Sequence, residues 1–246
     1  MRTKLGLLGL CAVVVGMMSM SAGAAQGATL SWLILNSTHT TATELKAEVV
    51  GEKDSEHLSL VGEVAGFKVA LTCTNVTAKE TFLTAAGTVT GGKVVFTGCK
   101  VYETAPLTKE FECTINSVGA AAGTVETAEV KGELQLHTKK DGTKLLVTRI
   151  EPKVGGLEGT LASLKFSGPT CVLPNAIVHG ALYLKDCEGF ETTHKLRHLV
   201  EDLGELTSLY IGGHSAKQLE RTKIIGSAWI KLGGAHAGLE WSGMDV

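Results

Sequence analysis

Phe67-Lys-Val-Ala-Leu-Thr-Cys73 and, past the glycine pair Gly91-Gly92, Lys93-Val-Val-Phe-Thr-Gly-Cys99 decide the fold class. The first stretch alternates, with Phe67, Val69, Leu71 and Cys73 on one face. A period of two marks a half-buried strand, and the second stretch is an apolar run of strand length. Paired antiparallel, the two bring Cys73 and Cys99 close enough to bridge.

The same pattern continues in both directions. Residues 31–35, 44–50 and 57–61 read as short strands ahead of the pair, with a threonine-rich link at 38–43. After Pro106 come 110–115, a small-residue turn at 120–123, and an alternating run at 130–136. Asp141-Gly142 is the strongest hairpin signal in the chain, and 144–150 returns along 130–136. Strand-like runs recur at 160–167, 176–184, 205–211 and 224–232. The glycine-laced tail carries Trp241, which needs something to pack against. The expected class is all-β, mainly antiparallel: a disulfide-tied β-sandwich, or two small β lobes, 26–155 and 156–246, joined at Gly155, Gly156 and Gly159.

One segment departs from the pattern. Leu196, Leu199, Val200 and Leu203 stand at i, i+3, i+4 and i+7, and Gly204 occupies a C-cap position. This spacing predicts a short amphipathic helix over 194–203, with an irregular strand as the alternative. On a helix His194, His198 and Glu201 share one face, a geometry that suits zinc. No Glu follows His194, and Lys195 and Arg197 crowd the site with positive charge, so the polar face of a helix is the simpler reading.

Arg2 and Lys4, the apolar run 5–20 and the small residues 21–25 predict a signal peptide over residues 1–25. Its removal takes the basic count from 23 to 21 against 25 acids, leaving a net charge near −4. A mildly acidic surface does not attract phosphate, which argues against nucleic acid. No second long apolar run follows, so no membrane association is expected after cleavage, and the expected location is extracellular or the cell envelope.

Five of the six cysteines remain in the mature chain: Cys73, Cys99, Cys113, Cys171 and Cys187. An exported chain keeps its disulfides, and an odd count leaves one thiol free or available for a disulfide-linked homodimer. An internal echo, strand–Cys73–turn–strand–Cys99 and strand–Cys171–turn–strand–Cys187, favours bridging within each copy and leaves Cys113 free. The competing scheme joins Cys113 to Cys171 and leaves Cys187 odd. Each bridge would contribute roughly 3–4 kcal/mol on the chain-entropy model.

Phe96-Thr-Gly-Cys99, Cys113 with Gly119-Ala-Ala-Ala-Gly123, Lys131-Gly-Glu-Leu134, Lys165-Phe-Ser167 with Cys171, and Val178-His-Gly180 resemble a family of secreted, cysteine-containing β-rich proteins of unknown function from soil actinobacteria. The resemblance covers most of the mature chain. It implies an exported β protein, brings no catalytic residues with it, and favours Cys187 as the extra cysteine.

Catalytic signatures are sparse. Gly213-His-Ser-Ala-Lys217 begins like a nucleophile elbow but ends in Lys217 and lacks the strand–turn–helix setting. The aspartates lie beside turns or ends, and no phosphate loop, dinucleotide fingerprint or calcium loop is present. The sequence calls for no cofactor and names no catalytic residue. It favours a secreted or cell-surface protein with a structural or ligand-binding role. The alternative is a secreted hydrolase whose site is assembled from scattered acids and histidines.

Overall fold

The computed structural model describes residues 29–35, 47–53, 58–103, 109–139, 141–198, 209–212 and 219–245; for 47–53, 198 and 219–221 the description extends to the backbone only. The expected signal peptide at 1–25, the turn at 213–217 and the second half of the expected helix lie outside them. Among the described residues the regular elements are antiparallel strands, apart from single 3-10 turns at Gly156–Glu158 and Gly234–His236. No helix among them is long and apolar enough to cross a membrane.

The deciding stretch folds into one long two-stranded ribbon that turns a corner. Strand β4 (Phe67–Cys73) runs through Thr74 into β5 (Asn75–Lys79), and β8 (Lys93–Thr97) runs through Gly98 and Cys99 into β9 (Lys100–Glu103). β5 pairs with β8 in one sheet and β4 with β9 in another. Cys73 and Cys99 therefore meet, and bond, where the ribbon changes sheets. The partners of 67–73 are thus 58–64 on one side and 100–103 on the other, rather than the expected 93–97. Glycine makes the corner possible: Gly98 has φ 63°, and a Cβ there would sit 2.0 Å from the Thr74 hydroxyl.

Eight strands close into a ring. In order around it these are β12 (Val130–Thr138), β13 (Lys144–Pro152), β16 (Leu182–Lys185), β17 (Thr193–His198), β21 (Ser227–Gly233), β2 (Ala47–Lys53), β6 (Phe82–Leu83) and β7 (Thr88–Thr90), which returns to β12. The Asp141-Gly142 hairpin joins β12 to β13 over nine residue pairs, as its sequence predicts. The Asp141 carboxylate accepts hydrogen bonds from the Thr143 N–H and hydroxyl, which hold its pKa below the usual carboxylate value.

Beside the ring lie open sheets. One orders β20 (Lys223–Ile225), β3 (Leu58–Val64), β4 and β9. Another orders β10 (Thr114–Ser117), β14 (Thr160–Ser167), β15 (Ala176–Gly180), β18 (Leu209–Gly212) and β19 (Leu219–Arg221). A third orders β11 (Val125–Glu126), β8 and β5. The ends of the described chain, β1 (Leu30–Leu35) and β22 (Glu240–Asp245), pair with each other. One continuous core cluster takes in Leu71, Leu164 and Ile211 from the open sheets and Leu146, Leu232 and Trp241 from the ring side.

Three expectations need correction. Four of the five sheets contain strands from both sides of Gly155–Gly159, so that joint does not divide the described residues into lobes 26–155 and 156–246. Residues 193–198 are a strand, not the start of a helix: β17 is hydrogen-bonded to β16 on one side and β21 on the other. His194 and Leu196 are buried while Lys195 and Arg197 are not, a period of two. Pairing offered by two neighbouring strands outweighs the weak local preference that a helical spacing expresses. Finally, Cys113 bonds Cys171 and Cys187 is free, which overturns the echo scheme and agrees with the competing one.

Candidate functional site: an apolar cavity capped by two tryptophans

A ring of eight strands leaves an interior just wide enough for its own side chains or for one small ligand. Here it holds a cavity of about 130 Å³. Leu182, Leu184, Leu196 and Ile150 line it from the ring, Val76 and Phe96 from the ribbon, and Trp32 and Trp241 from the β1–β22 pair. A second, smaller cavity of about 60 Å³ shares Leu58, Phe96, Leu182 and Ile224 with the first and continues between Leu71 and Leu164 of the open sheets.

Polar groups on these walls are few, and the hydroxyls are already engaged. Thr81 donates to the Lys79 carbonyl at 3.2 Å, Thr148 donates to the Cys187 sulfur at 3.8 Å, and Thr127, on the smaller cavity, accepts from the Val94 N–H at 2.9 Å. Neither cavity is lined by a titratable side chain; the one cysteine on their walls, Cys73, is disulfide-bonded. The two indoles differ from the hydroxyls. Trp32 and Trp241 are 5% and 1% exposed, and neither Nε1–H has an acceptor among the described residues. A buried donor without a partner costs roughly 1–3 kcal/mol.

The two rings are held from several directions. Trp32 lies opposite Gly243 in the β1–β22 register, and the absent side chain makes its space: a Cβ on Gly243 would stand 3.2 Å from the Trp32 ring and 3.1 Å from both Leu134 and Leu146. The Trp241 N–H donates to the Glu191 carbonyl at 3.0 Å. Its ring centroid is 5.6 Å from that of Trp32 and 4.3 Å from that of His194. His194, 1% exposed, places Nε2 2.7 Å from the Trp241 carbonyl and Nδ1 3.2 Å from the Asp186 carbonyl. A neutral imidazole has one N–H and satisfies one of those carbonyls; only the doubly protonated ring satisfies both.

His194 therefore meets Trp241 both through its ring and at the Trp241 carbonyl. In a strand, residues four apart are separated by roughly 13 Å, and both His194 nitrogens face carbonyls. Only the backbone of His198 is described, and Glu201 lies outside the described residues. Among those residues no group of three or more His, Cys, Asp or Glu is placed to hold a metal. Acidic and basic side chains gather instead on the ring's outer surface, where Arg149 pairs with Glu151 and Glu133, and Lys131 with Glu151.

The odd thiol that invites a disulfide-linked homodimer is Cys187, which has no exposed surface. Burial pushes its pKa up to about 11, against a smaller opposing effect of the Thr148 hydrogen bond. Joining it to a second chain requires the residues that cover it, Thr148 and Gly243 among its neighbours, to move away. Sequence reasoning found Trp241 as a ring in search of a contact but missed Trp32, whose partner is at the far end of the chain. The spacing Trp241-Ser-Gly243, a large residue two before a glycine on the same strand face, is the signal that was there to be read. No family model, curated protein or solved structure matches this chain.

Proposed function

We propose that this is an exported protein that binds a small, uncharged, apolar molecule inside the eight-stranded ring. The observation that carries the reading is the cavity of about 130 Å³ with an almost wholly apolar lining. A cavity of about 150 Å³ lined by Leu, Ile and Phe stays dry and takes up benzene. A body of roughly six carbons is the matching size. At the ceiling of about 1.5 kcal/mol per non-hydrogen atom, such a ligand binds no more tightly than roughly micromolar. Export is supported by the leader-like residues 1–25 and by two intrachain disulfides, which persist in oxidising compartments. The pairing of Cys73, Cys99, Cys113 and Cys171 is also the set favoured by the resemblance to secreted actinobacterial proteins.

Hexane titrated into ¹⁵N,¹³C-labelled mature protein tests the binding. Saturable shifts confined to cavity methyls such as those of Leu182, Leu196 and Ile230 are expected. Unmoved cavity methyls in hexane-saturated buffer would overturn the reading. Intact mass of the culture-medium fraction tests export: loss of about the first 25 residues is expected, and full-length protein confined to cells would refute it.

A further inference from the structure

The smaller cavity is too small for a ligand of its own, but it lies where a longer ligand in the ring would end. Resting on the binding reading above, we infer that the ligand is an unbranched hydrocarbon chain of about eight carbons that lies across both cavities, its far end beside the Cys73–Cys99 disulfide.

The two spaces meet at four apolar side chains, Leu58, Phe96, Leu182 and Ile224, each of which lines both. Leu182 is buried, whereas Leu58, Phe96 and Ile224 are half-buried. Leu58 begins β3, and Ile224 stands on β20, a three-residue strand at the margin of its sheet. Side chains so placed turn aside more readily than ones locked in a close-packed interior. They make a neck between the cavities rather than a wall.

Neither water nor a separate small molecule suits the smaller space. Thr127 is the one polar side chain on its walls, and a buried water needs two to four polar partners. On the scale by which about 150 Å³ holds the six carbons of benzene, about 60 Å³ holds about two or three. A molecule of that size bound alone reaches roughly millimolar affinity at best. The same carbons at the end of a chain already held in the larger cavity bury apolar surface without a second loss of translational freedom. On this scale the two cavities together hold about eight carbons. A neck of four side chains passes a single methylene chain and stops a branched body. Cys73, fixed by its bond to Cys99, stands on the wall beyond the neck and sets the length.

A homologous series tests this: unbranched alkanes from pentane to decane, and 2,2,4-trimethylpentane as the branched eight-carbon isomer, equilibrated through the vapour with labelled mature protein. Affinity should rise about fourfold for each added carbon, about fifteenfold from hexane to octane. It should rise no further at decane, and the branched isomer should bind at least about tenfold more weakly than octane. Octane should give intermolecular NOEs to methyls of Leu164 and Leu209, which line only the smaller cavity, as well as to Leu196 and Ile230, which line only the larger. Ala162→Val, on the smaller cavity, should cut octane's advantage over hexane to about twofold or less. Ala228→Val, on the larger, should weaken both alike and keep their ratio. If hexane binds but octane binds no more tightly, or octane shows no NOE to Leu164 or Leu209, the chain assignment falls and the binding reading stands. Equal affinity for the branched isomer, or an unbroken climb through decane, also overturns it. If neither hexane nor octane binds, the binding reading itself has failed. The series and the NOEs are read in wild type, so a variant that does not fold leaves the test intact.

Discussion

The eight-stranded ring has no free edge, and no disulfide lies in it; the open sheets beside it end in outer strands, and both disulfides sit there. Cys99 leads into β9, the outer strand of its sheet, and is tied to the end of β4 next to it. Cys113 leads into β10, the outer strand of another sheet, and is tied to Cys171, just past the end of β14 beside it. In each case the bridge fastens the last strand to its neighbour at the point where chain enters the sheet. A ring satisfies its backbone by closing on itself, whereas β9 and β10 have on their outer side only a few bonds to the short segments 109–111 and 123–124. The difference suggests where covalent help matters: the crosslinks hold what hydrogen-bonded closure does not.

The largest expected effect bears directly on that division. Cys113→Ser with Cys171→Ser opens a bridge spanning 58 residues, and Cys73→Ser with Cys99→Ser one spanning 26. On the chain-entropy model these cost about 4 and about 3.5 kcal/mol in turn. Urea unfolding should rank them in that order. Native-state hydrogen exchange should show amides of β10 and β14 losing protection before those of β12 and β13. If the ring amides open in parallel with β10, the ring is not the independent element that this comparison makes it.

The corner at Gly98 gives the next effect and carries its own control. Gly98→Ala forces alanine into φ 63° and drives its Cβ against Thr74. Gly142→Ala, in the ring's hairpin, imposes φ 83° with nothing within 4 Å of the new Cβ. The left-handed conformation alone costs about 1–2 kcal/mol. Gly98→Ala should therefore lose clearly more stability than Gly142→Ala, by about 1 kcal/mol or more. Thr74→Ala in the Gly98→Ala background should recover part of the excess. Equal losses at the two glycines would mean that the ribbon's corner is not tight.

How much of this was legible in the sequence follows from what is local. Alternation at 67–73 and 130–136, the Asp141-Gly142 turn and the cysteine count are read from neighbours in the chain, and they placed the class and the ring's one long hairpin. The corner at Thr74 and Gly98 was missed although it leaves a mark: the inward side chains change from odd positions, Leu71 and Cys73, to even ones, Val76 and Ala78, and on the other strand from Val94 and Phe96 to Val101. Ring closure was missed because it rests on β7 meeting β12 and β2 meeting β21, pairings between distant segments that leave no local mark. The cap is the extreme case, since Trp32 and Trp241 come from opposite ends of the described chain. His194 was legible only as a histidine at a helical spacing. Its contacts with the Asp186 and Trp241 carbonyls depend on the strand that the spacing argument kept only as the alternative.

Cys187 supplies the most specific prediction, one confined to alkaline pH, because it is the free cysteine among the described residues. Its thiol is fully buried behind Thr148, and its pKa rises from the ordinary value near 9 to about 11, chiefly through loss of hydration. The folded state therefore holds the proton more tightly than the unfolded chain does. Between about pH 9 and 11 the unfolded chain releases that proton and the folded protein does not, so stability falls as pH rises through this window and is unaffected below it. The loss approaches about 2–3 kcal/mol at the alkaline end, from about 1.4 kcal/mol for each pH unit of difference. Cys187→Ala should flatten the decline in urea midpoints across this range while leaving both disulfide variants as costly as before. Ellman's reagent at pH 8 should find no reactive thiol in folded protein lacking residues 1–25, and one after unfolding without reductant. A thiol that reacts in the folded state at the rate of a free cysteine would show that the packing of Cys187 against Thr148 and β22 opens in solution, and the raised pKa would not hold.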